Sequence, residues 1–207
     1  MESVETMTSL AVGADERLFF LINNGLSNPA LDIVMPVFSV AGNALGWILA
    51  GLAFIYILDR PGFRRKAVLF ILAMGVAGLF LNLAKDVIER GRPLERFKHE
   101  IAQGKAVIHT PYEKLTARSF PSGHSQAAFT AATFLFLYCR RFGPLLFTCA
   151  VIVAFSRVYI GSHFPADVLA GSAFGWLMAY CAWRLDILSL RPPSSLSEGV
   201  KDRSSAP

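Results

Sequence analysis

Ser156-Arg157-Val158-Tyr159-Ile160-Gly161-Ser162-His163-Phe164-Pro165-Ala166-Asp167 joins two apolar runs, residues 144–160 and 165–183. It gathers a cation, an imidazole and a carboxylate in a chain that is 54 % hydrophobic and only 17 % charged. Ordinary soluble domains carry about 25 % charged residues. Polar groups beside apolar segments are costly unless they work together, so their concentration at this boundary points to a site. Gly161 closes one run and Pro165 opens the next, and proline suits the first turn of a helix. The stretch therefore reads as a tight turn between two helices. Each flanking run approaches the ~20 residues that a bilayer requires.

Three more apolar runs lie upstream, at 43–59, 66–84 and 123–139. In hydrocarbon a spanning segment satisfies its own backbone only as a helix or a closed barrel. Barrel strands would be about half as long and would alternate in polarity. The expected fold class is all-α: a polytopic transmembrane helical bundle with five to six membrane spans and short interfacial helices. Residues 15–41 supply those interfacial or re-entrant helices, broken by Asn23-Asn24-Gly25 and Asn28-Pro29 and interrupted by Asp32 and Pro36. A crossing by 17–41 as a whole would be the sixth span. Residues 1–191 form one domain, and the Pro- and Ser-rich residues 192–207 read as a disordered tail. Gly75, Gly78, Gly171 and Gly175 predict close helix packing. Cys139, Cys149 and Cys181 all fall in apolar runs and read as small buried hydrophobes, with no disulfide or metal spacing. Residues 1–16 hold four acidic residues and no Lys or Arg, so the basic start of a signal peptide is not expected there.

The net charge of +5 sits in loops between apolar runs. That distribution fits a membrane surface or an anionic substrate and excludes nucleic acid as a partner. With five spans, loop 60–66, Arg140-Arg141 and the tail share one side. The N-terminus, loop 85–121 and the 156–167 turn share the other. Lys and Arg are equally numerous on the two sides, so counting alone does not orient the chain. Orientation follows the basic clusters tight against span ends, which are Arg64-Arg65-Lys66 and Arg140-Arg141. This predicts those loops in the cytoplasm and the polar turn outside it.

Two further stretches end spans on the same side as the turn. Lys85-Asp86-Val87-Ile88-Glu89-Arg90-Gly91-Arg92-Pro93 brings up to three cations. Read alone, Lys85 is a snorkelling residue and Arg90 and Arg92 form a solvated face. Pro121-Ser122-Gly123-His124 precedes a long apolar helix. Ser122 suits its N-cap, and the unpaired N–H groups from Ser122 onward form an anion site. His163 lies just before a helix and Asp167 in its first turn. A carboxylate so placed can accept from one imidazole nitrogen and leave the other free to attack. His124 and His163 are the only candidate histidine ligands near so many cations, so no metal is expected.

Taken together, Lys85, Arg92, Pro93, then Pro121 to His124, then Ser156, Arg157, His163 and Asp167 resemble the type 2 phosphatidic acid phosphatase superfamily. The resemblance covers residues 85–167 and leaves residues 1–40 and the tail uncovered. It implies His163 as the nucleophile forming a phosphohistidine, Asp167 orienting it, and His124 as general acid and then base. It implies that Lys85, Arg92, Arg157, Ser122 and Gly123 hold the phosphoryl oxygens, with no cofactor and no metal. Soluble members of that superfamily lack such spans, so the lipid phosphatase branch of a bacterial inner membrane is expected, its site facing the periplasm. The expected partners are the bilayer and a lipid phosphate: undecaprenyl diphosphate or phosphatidylglycerol phosphate first, with lipid A 1-phosphate, phosphatidic acid and phosphosphingolipids as further candidates. Transfer to another lipid, or lipid binding without catalysis, are the other classes in view. Loop 94–118, with Arg96, Lys98, His99, Lys105, His109, Lys114 and Arg118, reads equally as a headgroup contact and as a solvated lid.

Overall fold

The computed structural model describes residues 2–189, with side chains from 10 to 187; the expected tail at 192–207 lies outside them. Every element among the described residues is helical: α1 (Glu2–Asn23), α2 (Pro29–Ala41), α3 (Ala44–Leu58), α4 (Phe63–Ile88), α5 (Pro93–Arg96), α6 (Lys98–Ala102), α7 (Gly123–Tyr138), α8 (Gly143–Tyr159) and α9 (Pro165–Ser189), with a 3₁₀ turn at Arg140–Phe142. Local chemistry sets the boundaries. Asn28 accepts from the Leu31 amide at 3.0 Å with Pro29 in the first turn, and Asn43 accepts from the Gly46 amide at 2.8 Å. These are N-caps, each satisfying an amide that the helix cannot. The Asn43 cap starts a new helix directly after α2, and α2 and α3 meet at 68°.

The five long apolar runs all fold as helices. By length and composition, Phe63–Ala102 and Arg140–Tyr159 can cross a membrane, and α2 with α3 makes a third candidate if the bent pair is one span. The break that the sequence places after residue 41 is thus the corner of that pair. Large apolar side chains cover the outside, among them Ile57, Val68, Leu72, Leu79, Val151, Leu169 and Leu185. An outward apolar surface of this extent suits lipid rather than water.

Helix α7 is the central post. Ala127, Ala128, Ala131 and Ala132 are buried on it, and it packs most extensively on α9. The contact is close because α9 is bare there. A Cβ on Gly171 would stand 2.4 Å from the Ser122 carbonyl oxygen, and one on Gly175 would stand 2.4 Å from that of Gln126. Gly75 and Gly78 differ from expectation: nothing lies within 4 Å of where their Cβ atoms would be. They face outward from α4, so spacing alone did not report packing. The cysteines also differ, since Cys139 and Cys149 are part-exposed and Cys181 is exposed, on the lipid-suited surface and free of disulfides.

The two ends of the bundle are unlike. At one end Lys66 pairs with Asp59 at 2.5 Å and lies 4.7 Å above the Tyr138 ring. The Tyr138 hydroxyl donates to Asp186 at 2.6 Å, and Arg65 also pairs with Asp186. Loop 59–66, the α7–α8 turn and the end of α9 therefore share one end, as the loop assignment predicts. The other end carries the three motif stretches.

Gly175→Ala must push α7 from α9, and overpacking of this kind costs about 1–3 kcal/mol. Gly75→Ala gains roughly 1 kcal/mol of helix propensity without a clash. Thermal unfolding in detergent is expected to show a lowered midpoint for the first and an equal or raised one for the second.

Candidate active site

Three helix ends build the site. α4 ends at Ile88 with Glu89 in the left-handed region, at φ 46°, and delivers Lys85, Arg90 and Arg92. α7 begins after Ser122, whose hydroxyl receives the Ser125 amide at a long 3.5 Å. α8 carries Arg157 in its last turn, ends at Tyr159 and turns at Gly161 into α9. Gly161 has φ +76°, and a Cβ there would meet the His109 carbonyl oxygen at 2.8 Å, so only glycine fits this turn. The α7 and α9 starts are joined directly by Ser122 N–H donating to the Asp167 carbonyl at 2.9 Å.

His163, Asp167, Ser122 and Arg157 are all nearly inaccessible, and Arg92 is buried at 8 % exposure. His163 Nδ1 faces Asp167 Oδ2 at 3.7 Å, beyond hydrogen-bond reach. Ser119 lies beside both. Its Oγ donates to Asp167 Oδ2 at 2.5 Å and lies 3.5 Å from His163 Nδ1. The same Oδ2 receives the Phe164 amide at 2.9 Å, and Arg90 holds Oδ1 at 2.5 Å. The carboxylate is thus fixed by three groups other than the imidazole it faces. Burial drives the His163 pKa from the usual 6.5 down to about 3, helped by the charges of Arg92 and Arg157 and opposed by Asp167. The imidazole is then neutral at neutral pH, and a proton on Nδ1, the nitrogen facing Ser119 and Asp167, leaves the lone pair on Nε2.

The cations are held by backbone and by the N-terminal helices. Arg92 donates from Nε to the Ala117 carbonyl at 2.7 Å and from Nη1 to that of Ser162 at 3.0 Å. Lys85 Nζ donates to the Arg118 carbonyl at 3.1 Å. Arg157 donates from Nη1 to Ser39 Oγ and from Nη2 to Glu113 Oε1 at 2.5 Å, while its buried Nε has no partner. Ser156 turns away and bonds back to the Val153 carbonyl at 2.7 Å. The half-buried His124 ring makes no hydrogen bond among the described residues. These groups form a cationic cluster around a neutral imidazole at a helix N-terminus, which suits a tetrahedral anion.

Sequence reading gave no role to five contributors: Arg90, Asp15, Ser119, Ser39 and Glu113. Arg90, read as a solvated face, bridges Asp167 and Asp15, meeting the latter at 2.7 Å. Asp15 also receives the Ala166 amide at 2.8 Å, capping α9 from α1. Ser119 and Ser39 lie in stretches without a motif. The Arg90 signal was available in the spacing: it falls two residues before Arg92, on a chain segment turning into the site. Loop 94–118 is tied down by charge rather than freely solvated. Arg96 pairs with Glu16, Arg118 with Asp86, and His109 with Asp32.

A family model described as the PAP2 superfamily matches residues 66–188. The chain is 40 % identical over 103 residues to a lipid A 1-phosphatase of Rhizobium etli, covering 48 % of this chain and 41 % of that one. It is 30 % identical over 172 residues to the undecaprenyl-diphosphatase BcrC of Bacillus subtilis, covering 82 % of each. The chain spans about two fifths of the length of the curated lipid A 1-phosphatases it matches. Among solved structures it resembles a transmembrane PAP2-type phosphatidylglycerolphosphate phosphatase from Bacillus subtilis, with TM-score 0.67, 25 % identity and 88 % of each chain covered.

Removing one partner of a buried ion pair costs about 3–5 kcal/mol. Arg90→Ala is therefore expected to lower stability by roughly 3 kcal/mol, and by much less in an Asp167→Asn background, a coupling read from thermal melts of the four proteins. The pH dependence has a definite sign. His163 binds its proton near 6.5 when unfolded and near 3 when folded, so its contribution is present above about pH 6.5 and is lost as pH falls towards 3. Melting temperatures between pH 7 and pH 4 should fall more steeply for the wild type than for His163→Asn.

Proposed function

This chain belongs to the PAP2 superfamily, and on that footing we propose that it is a membrane lipid phosphatase working through a phosphohistidine. One observation carries the reading: a buried, neutral His163 beside a fixed carboxylate, at the focus of Lys85, Arg92, Arg157 and the start of α7. His163 Nε2 attacks phosphorus while the bond to the leaving oxygen breaks. His124, otherwise unengaged and protonated once the negative charge of the bound phosphate stands beside it, gives that oxygen its proton. The cations and the Ser122–Gly123 end of α7 take the charge on the phosphoryl oxygens. Water then attacks phosphorus, His124 accepts its proton, and the N–P bond breaks to release phosphate. Asp167 steadies the imidazolium-like ring, acting in part through Ser119.

The substrate we propose is undecaprenyl diphosphate. The undecaprenyl-diphosphatase relative aligns over most of both chains, whereas the lipid A 1-phosphatase matches cover under half of either. The stronger identity within that shorter match favours lipid A 1-phosphate as the second reading. α3, α4, α7, α8 and α9 are the five spans of this proposal. The basic end, with Arg64-Arg65-Lys66 and Arg140-Arg141, faces the bacterial cytoplasm, and the site opens at the outer surface of the inner membrane. A lipid keeps its tail in the bilayer there while its phosphate reaches His163.

Phosphate release from a panel of undecaprenyl diphosphate, phosphatidylglycerol phosphate, lipid A and phosphatidic acid in detergent tests the proposal. Turnover should be highest on undecaprenyl diphosphate, and His163→Ala should lower it by at least about a thousand-fold. Quenching with labelled substrate should trap an acid-labile, alkali-stable phosphoprotein that His163→Ala lacks. Undiminished turnover in His163→Ala would overturn the mechanism.

A further inference from the structure

Glu113 has no place in the mechanism above, yet its carboxylate lies inside the site. A single oxygen, Oε1, accepts from Arg157 Nη2 at 2.5 Å and from Ser162 Oγ at 2.7 Å. Both donors are buried, and Ser162 directly precedes His163. Two convergent donors on one anionic oxygen is the arrangement that a phosphoryl oxygen would adopt. Glu113 is ionised despite burial that works against it, because the Arg157 charge and the two hydrogen bonds hold its pKa below the usual carboxylate range.

The need for such a group follows from the cation it meets. Arg157 is 2 % exposed, its Ser39 partner is neutral and its Nε has no partner among the described residues. A buried guanidinium without a counter-charge is strongly destabilising. A phosphate dianion supplies that charge when bound, and Glu113 supplies it when the site is empty. Both cannot press on the same donors without like-charge repulsion.

The segment bearing Glu113 can release it. Upstream it is pinned to the α1–α2 turn: Asn24 donates to the Val107 carbonyl, and Asn23 both donates to the His109 carbonyl and accepts the His109 amide. Downstream it is pinned by Arg92, which reaches the Thr116 and Ala117 carbonyls. Between these points, residues 110–115 have no helix or strand, and their only hydrogen bonds among the described residues are those of the Glu113 carboxylate.

We propose that Glu113 is a built-in competitor for the phosphoryl seat: its carboxylate occupies the Arg157–Ser162 donors in the empty protein and is displaced by the phosphate of the incoming substrate. This rests on the phosphatase reading. It makes Glu113 a specificity-determining residue, since only a ligand with enough negative charge to outbid a carboxylate for Arg157 takes the seat.

Inorganic phosphate is the probe, its affinity read from the rise in melting temperature with concentration and from competitive inhibition of phosphate release. Glu113→Gln keeps the shape and removes the charge, and Glu113→Ala removes both. Each is expected to bind phosphate about five-fold more tightly than the wild type, the order expected from deleting one like charge at contact distance in a part-solvated site. The substrate KM should fall in parallel. Unchanged or weaker phosphate binding in both variants overturns the proposal, weaker binding being the mark of a residue that merely orients Arg157. Arg157→Ala separates the two levels. If it binds phosphate as well as the wild type, the phosphatase reading of the seat fails. If it loses binding while the Glu113 variants gain none, only the competitor role fails.

Discussion

The fixed carboxylate of Asp167 is the constraint that the rest of the structure serves. It is fully buried at the end of an apolar bundle, where an ion without partners would cost several kcal/mol. Arg90, Ser119 and the Phe164 amide together saturate it. Each comes from a different segment, so α4, the loop before α7 and the start of α9 are locked in one register by one side chain. The backbone bond from Ser122 to the Asp167 carbonyl adds α7 itself. Glycines at 171 and 175 then let α7 and α9 approach closely enough to keep that register along their length.

The first forty residues share in this arrangement, although the family model's match begins only at residue 66. Asp15 on α1 neutralises Arg90 and caps α9, and Ser39 on α2 holds Arg157. Asn23 and Asp32 secure the loop that carries Glu113 through the His109 backbone and side chain. α1 and α2 thus form a collar around the catalytic end. The separation of labour is physical: the matched region carries the groups proposed to meet phosphate, and the collar carries groups that compensate and aim them.

Charge accounting gives the site its character. Three cations crowd around His163, while Arg90 is already balanced by Asp15 and Asp167. Among the described residues the Arg92 side chain is held by carbonyl dipoles, and Arg157 by a hydroxyl and a carboxylate. Such an excess of positive charge is unfavourable in the resting protein and is relieved by an anionic ligand, which links stability to ligand occupancy. The neutral His163 belongs to the same balance, because Arg92 and Arg157 also resist placing a proton on its ring.

By itself the sequence determined the helical class, the five long helices, and the three stretches that meet at one end. It could do so because these rest on local matters: apolar run length, N-capping by Ser122, and the Gly161–Pro165 turn. His163, Asp167, Arg157, Arg92, Ser122 and His124 were all legible as a pattern for the same reason, each being fixed to a helix end. Which small residues pack was not legible, since Gly75 and Gly171 look alike until the facing helix is known. Nor were Ser119, Asp15, Ser39 and Glu113, whose partners lie 44 to 151 residues away in the chain. Only the tertiary structure decided those pairings, because a buried charge selects its partner by proximity in space, and no periodicity in the chain records where that proximity falls.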